Sequence, residues 1–92
     1  MGGNNTAGMF YLYILHSPTV KKFYIGFTGD DLSERIRRHN SHHKGFTGQA
    51  DDWELAYREA FPTKVEAAAR ERQIKRWKSQ QRIQELIERN KP

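Results

Sequence analysis

The chain contains no cysteine. That absence removes disulfide frameworks, thiolate zinc sites, iron–sulfur clusters and cysteine nucleophiles, so any chemistry must run on oxygen and nitrogen side chains. It is also compatible with a reducing cytosol. Long hydrophobic runs are missing too: the longest, Phe10 to Leu15, is far short of the roughly 20 residues a helix needs to cross a bilayer, and no apolar signal-peptide core precedes it. A cytoplasmic protein is expected, with no membrane partner. There are no internal repeats, no linker and no second domain, since 92 residues suffice for one domain and not for two. Gly45 and Gly48 do not make a phosphate loop, because no strand leads into them and no lysine–serine pair follows.

What is present is positive charge, concentrated at one end. Residues 1–63 hold seven Lys/Arg against seven Asp/Glu, whereas residues 64–92 hold nine against four and so carry the whole surplus of +5. A basic C-terminal third suits a polyanion, nucleic acid before membrane, because basic surfaces gain affinity by releasing condensed counterions. A solvated helical face explains the same charge equally well.

Residues 1–8 are small and polar and read as a disordered arm or an expression remnant ahead of a domain spanning 9–92. Phe10 to Leu15 and Phe23 to Phe27 are rich in aromatic and β-branched residues around a turn at 16–22, which predicts a β-hairpin. Alternation places Tyr11, Tyr13, Leu15, Tyr24 and Gly26 on one face and Phe10, Leu12, Ile14, Phe23, Ile25 and Phe27 on the other. Asp31 with Glu34 resembles a capping box opening a helix on which Leu32, Arg35, Ile36 and His39 share a face. Ser41 to Asp52 is expected to be a loop. Trp53 to Phe61 is expected to be a third strand, with Trp53, Leu55, Tyr57, Glu59 and Phe61 on one side. Thr63 and Glu66 form a second capping box for a helix to about Trp77, whose inward stripe would be Ala67, Ala68, Glu71, Ile74 and Lys78. Ser79 then caps a last helix that buries Ile83, Leu86 and Ile87. The fold class is α+β, a three-stranded antiparallel sheet of undetermined order flanked by three helices.

Ionisable groups on inward faces are the candidates for chemistry. Each taken singly has a structural reading: a buried tyrosine bonds a backbone carbonyl, and Arg35 pairs with Glu71 across the core. Together, Tyr13, Tyr24, Arg35 and Glu71 supply two phenols, a cation and a carboxylate, a set suited to phosphodiester hydrolysis. His39, His42 and His43 read as solvated histidines near a helix end, Trp53 and Trp77 as core, and Asp30 and Asp31 as capping residues.

The ordered series Tyr11-Leu12-Tyr13, Tyr24-Ile25-Gly26, Arg35 with His39, and Glu66-Ala67 with Glu71 resembles the GIY-YIG nuclease family, in its small stand-alone bacterial form. The likeness covers nearly everything after Gly8. The second half of the family's motif is intact, and the first is degenerate, with Tyr11 in place of glycine and Leu12 in place of isoleucine. Phe27 stands where some members have a lysine after the motif, and Ile83 where some have an asparagine.

The resemblance implies that Tyr13 is a general-base candidate, Tyr24 a second catalytic tyrosine, Arg35 the phosphate-binding cation, His39 a group close to the attacking water, and Glu71 the sole carboxylate on one divalent metal, Mg2+ or Mn2+. It implies cleavage of DNA, with RNA left open, by a structure-selective or weakly sequence-specific endonuclease. No small-molecule cofactor is expected, and oligomeric state is unread. Arg72, Lys75, Arg76 and Lys78 are the nucleic-acid-binding candidates on the basic helices. The Tyr13 and Tyr24 hydroxyls, Arg35, His39 and Glu71 are expected to border one open concave surface. The alternative is a catalytically silent nucleic-acid-binding module on the same scaffold; a purely structural interaction domain leaves the aligned site residues unexplained.

Overall fold

The structure, a computed structural model, describes residues 8–41 and 45–91. Strands β1 (Phe10–Ser17) and β2 (Lys22–Thr28) form the expected hairpin, helix α1 (Leu32–His39) follows, and β3 (Glu54–Phe61), α2 (Lys64–Trp77) and α3 (Gln80–Arg89) complete the chain. The antiparallel sheet has the order β2-β1-β3, so the first strand is central. No helix among the described residues is long and apolar enough to cross a membrane.

A central strand covered on both faces explains why Leu12, Tyr13, Ile14 and Leu15 are all completely buried although their side chains alternate. On one face Leu12, Ile14 and Ile25 pack against Ile74 of α2 and Ile83, Leu86 and Ile87 of α3. On the other, Tyr13 and Leu15 pack against Leu32 of α1 and Trp53. The tyrosine face is therefore a second core. Residues 1–7, which fall in the expected arm, lie outside the described residues.

The helix starts follow their caps. Asp31 accepts from the Ser33 and Glu34 amides, Thr63 from Glu66, and Ser79 from Arg82. Only the Thr63–Glu66 pair is bonded side chain to side chain; Glu34 turns instead to Arg37 and Arg38.

Three expectations are corrected. First, β3 does not alternate strictly. Its register against β1 slips between Ile14 and Leu15, so that Tyr57 opposes Ile14 but Leu55 opposes Leu15. The extra residue, Ala56, lies with Tyr57 against the α2/α3 core, while Leu55 is exposed, as expected of a bulge. Second, Lys78 is not on the inward stripe: it is exposed and caps α2 in the left-handed conformation, φ 48°. The helix ends before the stripe reaches it. Third, the loop between α1 and β3 contains a 3-10 turn at Phe46–Gln49.

Glu59, on the apolar face opposite Leu12, is accommodated by pairing. Arg70 of α2 grips its carboxylate with Nε and Nη2, both at 3.0 Å, and the Tyr57 hydroxyl donates to it as well. Burial first, then the Glu59 charge, pushes the Tyr57 hydroxyl up to about 12.

Asp52 latches the hairpin turn to the segment that enters β3. Its carboxylate accepts from the buried Ser17 hydroxyl at 2.5 Å and from the Thr19 hydroxyl and amide at 2.6 and 3.1 Å. These donors hold its pKa below the usual aspartate value of 3.8. A depressed carboxyl contributes stability that is present above its unfolded pKa and lost as pH falls through the folded one. Asp52→Asn is therefore expected to lower stability at neutral pH and to flatten its decline below about pH 4, measured by urea unfolding at stepped pH; parallel wild-type and variant curves would show that the latch is neutral.

Candidate active site

Tyr13 sits at the centre of the sheet, paired with Gly26 of β2. A Cβ built on Gly26 would lie 2.8 Å from the Tyr13 hydroxyl oxygen and 3.0 Å from Cε2 of Tyr24. The glycine is thus required for space: the Tyr13 ring lies across the position a side chain there would fill. Tyr24, two residues earlier on the same face, packs beside it with ring centroids 6.2 Å apart.

Helix α1 brings the nitrogen groups to these phenols. Burial of Leu32 at its start sets its phase, so the side chains one and two turns on, Arg35 and His39, fall toward the sheet. The Tyr13 hydroxyl is 2.8 Å from His39 Nε2, and His39 Nδ1 is 2.9 Å from the Thr47 hydroxyl. The Tyr24 and His39 rings are 4.7 Å apart. The Arg35 charge opposes the effect of burial on the Tyr13 hydroxyl. Which of Tyr13 and His39 donates in their contact depends on the imidazole tautomer. His39 is accordingly a bonded member of the site and not a solvated helix-end histidine. His42 and His43 lie outside the described residues.

The Tyr13 hydroxyl titrates above its ordinary value of 10.0, because burial outweighs the opposing effect of Arg35, and the Tyr24 and Glu71 charges push in the same direction as burial. Glu71 lies on α2, one helical turn before the core residue Ile74. Its carboxylate is largely covered and holds Lys75 Nζ at 3.1 Å. The alternative partner considered for it, Arg35, is instead at Tyr13, with its buried Nε lacking a hydrogen-bond partner.

The constellation does not border a single open concavity. Tyr13 is completely buried. Arg35 and His39 line a small cleft with Arg38 and Ser41, while Tyr24 lines a larger one together with Lys75 and Lys78. Arg72 and Arg76 are exposed on α2. Tyr11 carries the Arg58 guanidinium over its ring at 5.7 Å, and Ile25 and Leu12 are core. Ile83, one of the two departures from the family's pattern, is also a core residue. Thr47 and Phe46 were not singled out from the sequence. Both lie in the short 3-10 turn, and only Gly45 before it and Gly48 within it marked that turn as a shaped segment.

Among the described residues no group of three or more His, Cys, Asp or Glu side chains could hold a metal. A lone carboxylate nevertheless fits a hard cation such as Mg2+, which commonly binds one or two carboxylates and takes its other ligands from water and substrate phosphate.

A family model described as the GIY-YIG catalytic domain matches residues 9–84. No curated protein and no solved structure matches the chain.

The Gly26 contact yields a direct test. Gly26→Ala is expected to destabilise the fold by about 1–3 kcal/mol, the usual cost of forcing a methyl into filled space, and to displace the Tyr13 ring from His39. Denaturant unfolding reads the first effect and the His39 ring resonances in an NMR spectrum read the second; a stable variant with unchanged resonances would remove Gly26 from the site's architecture.

Proposed function

Because the chain belongs to the GIY-YIG catalytic-domain family, whose members are of nuclease type, we propose that it is an endonuclease that hydrolyses DNA phosphodiester bonds with the help of one divalent cation, Mg2+ or Mn2+. The observation that carries this reading is the gathering of His39 and Tyr24 about Tyr13, with His39 Nε2 at 2.8 Å from its hydroxyl and Arg35 beside His39 in one cleft. Residues from β1, β2 and α1 meet there, and a merely structural tyrosine needs one partner and not this set.

Glu71 is the residue that would hold the cation, whose chemistry when bound is to offset phosphate charge and to acidify water. Arg35 neutralises the charge that builds on the phosphoryl oxygens. Tyr24 is partly exposed at the edge of the sheet and contacts the incoming strand. Tyr13 keeps its proton at neutral pH, since burial raises its pKa. It becomes a base only by passing that proton to His39 Nε2, which leaves a phenolate beside Arg35 and an imidazolium whose Nδ1 proton rests on Thr47. Arg35 favours that transfer and burial opposes it. Tyr13 and His39 thus act as one proton-holding unit, with Thr47 fixing its orientation. Arg72, Lys75, Arg76 and Lys78 supply the phosphate-binding surface.

Glu71→Gln is expected to abolish cleavage while leaving the fold and most binding intact, because Gln keeps the shape and loses the charge that holds a hard cation. The assay is a panel of nicked, branched, single-stranded and duplex DNA, with RNA beside it, incubated with and without Mg2+ or Mn2+. Cleavage by the variant at the wild-type rate would place the cation elsewhere. Binding without any wild-type turnover would favour the silent-module alternative.

Arg35→Ala is expected to lower turnover by about 10²–10³, the range seen when a transition-state donor is removed, and affinity by much less. Neutralising Arg72 and Arg76 together should instead weaken binding and reduce its salt dependence. Equal loss of affinity and turnover in Arg35→Ala would make the residue an anchor.

A further inference from the structure

The larger cleft has a composition that phosphate chemistry alone does not require. It lies between the outer edge of β2 and the α2–α3 junction, with a volume of about 460 Å³. That falls within the range of roughly 300–1,000 Å³ typical of small-ligand clefts. Its floor is apolar, made by Ile25, Ile74 and Ile83, and one wall is the Tyr24 ring. Facing it is Phe46, which is 44% exposed and stacks against Tyr24 with centroids 6.1 Å apart and planes 29° apart.

An exposed aromatic in a polar turn is not held there by burial. Phe46 rests on Trp53 at 5.9 Å and receives the Lys22 ammonium over its ring at 5.7 Å. Lys75 and Lys78 stand on the rim, and Ser79 and Gln80 add hydrogen-bonding groups. Aromatic planes over an apolar floor, ringed by cations, match a flat π-system attached to phosphates.

Lys78 closes α2 in the left-handed conformation, φ 48°, and lines the cleft at that helix end.

We propose that this cleft holds the base of an unpaired DNA nucleotide next to the phosphate under attack, with Phe46 as the stacking platform and Lys78 on the nucleotide's phosphate. The inference rests on the nuclease reading and extends it to a substrate class: a strand whose base is free to leave the stack. The cleft adjoins the candidate active site through Tyr24, which contacts His39, and through Lys75, which pairs with Glu71. A base seated against Tyr24 therefore sets the adjoining phosphate beside the reacting groups. A duplex base in its stack does not enter such a cleft without being extruded.

The test is binding in metal-free buffer, where cleavage does not intervene. The probes are a labelled short oligothymidylate, the same strand with abasic positions throughout, and a duplex of equal length. Phe46→Leu keeps apolar volume against Trp53 and removes the stacking plane. It is expected to lower affinity for oligothymidylate about tenfold, within the range of losing one base–aromatic stack, and to leave the abasic strand and the duplex unaffected. Lys78→Gly is expected to raise the melting temperature or leave it unchanged, while weakening binding of the base-bearing and abasic strands alike.

Unchanged affinity of Phe46→Leu for oligothymidylate, or an equal loss on the abasic strand, overturns the base-binding role. A fall in melting temperature in Lys78→Gly with no loss of affinity overturns the role given to Lys78. An oligouridylate of the same length, run beside these probes, tests the sugar: tighter binding of it than of oligothymidylate overturns the DNA assignment. Wild-type protein that binds none of these probes and cleaves nothing in the panel defeats the nuclease reading itself, whereas intact cleavage with an insensitive Phe46→Leu defeats only the base subsite.

Discussion

A phenol hydroxyl enclosed at the middle of a three-stranded sheet has to be hydrogen-bonded, since leaving such a group unsatisfied costs about 1–3 kcal/mol. Tyr13 is completely buried, and meeting that requirement organises the tyrosine face. The hydroxyl reaches His39 across the space Gly26 leaves empty. His39 in turn requires Thr47, and the Thr47 carbonyl accepts the Trp53 indole proton at 2.8 Å. Asn40, next to His39, closes the circuit by bonding the Trp53 backbone at both its amide and its carbonyl, 2.7 and 2.9 Å. The end of α1, the 3-10 turn and the entry to β3 are therefore one bonded ring around a single side chain.

The same burial that demands the ring decides its electrostatics. Arg35 beside Tyr13 favours a phenolate, yet removal from water disfavours charge more strongly, and the hydroxyl keeps its proton. Were the balance reversed, a permanent anion would sit at the sheet centre and draw Arg35 away from any ligand. As built, the pair remains neutral phenol and free cation until a negative substrate alters the local field. Glu71 contributes from α2, although that helix packs on the opposite face of the sheet. The sheet is narrow and β2 is an edge strand, with strands spaced only about 4.8 Å apart. The paired motifs of the hairpin matter together for this reason: one places the phenol, and the other leaves the edge open at Gly26.

Much of this was legible before any coordinates. Alternation assigned the two faces of the hairpin, and the helix starts at Asp31, Thr63 and Ser79 followed from capping chemistry. Helix periodicity alone set Arg35 and His39 on the inward side. What resisted reading was long-range. Strand order depends on which helix covers which face, and no local pattern in β1 announces that its tyrosine side is also sealed. The bulge at Ala56 is a mismatch between two strands and has no signature in either. Lys78 was assigned inward because the helix period reaches it, whereas the helix had already ended. Thr47 looked like one polar residue in a polar loop; its role exists only because Trp53 and His39 approach from other elements.

Net charge proved a coarse guide to the surface it helped to identify. Of the cations in the basic C-terminal third, Arg70 is consumed by Glu59 and also lies over Trp77 at 5.9 Å, and Arg82 caps the other contact to that ring at 4.6 Å. These hold α2 and α3 to each other and to β3. The Lys75 ammonium is committed to Glu71 at 3.1 Å, which gives it two states: partner of the carboxylate, or, once another cation takes that carboxylate, a phosphate ligand at the rim of the cleft. On the proposed reading, cation uptake at Glu71 and strand binding at Lys75 would be linked events, since each would release what the other needs. Linkage of this kind is reciprocal, so a bound strand that draws Lys75 away must raise the cation affinity of Glu71 by the same factor by which the cation raises affinity for the strand.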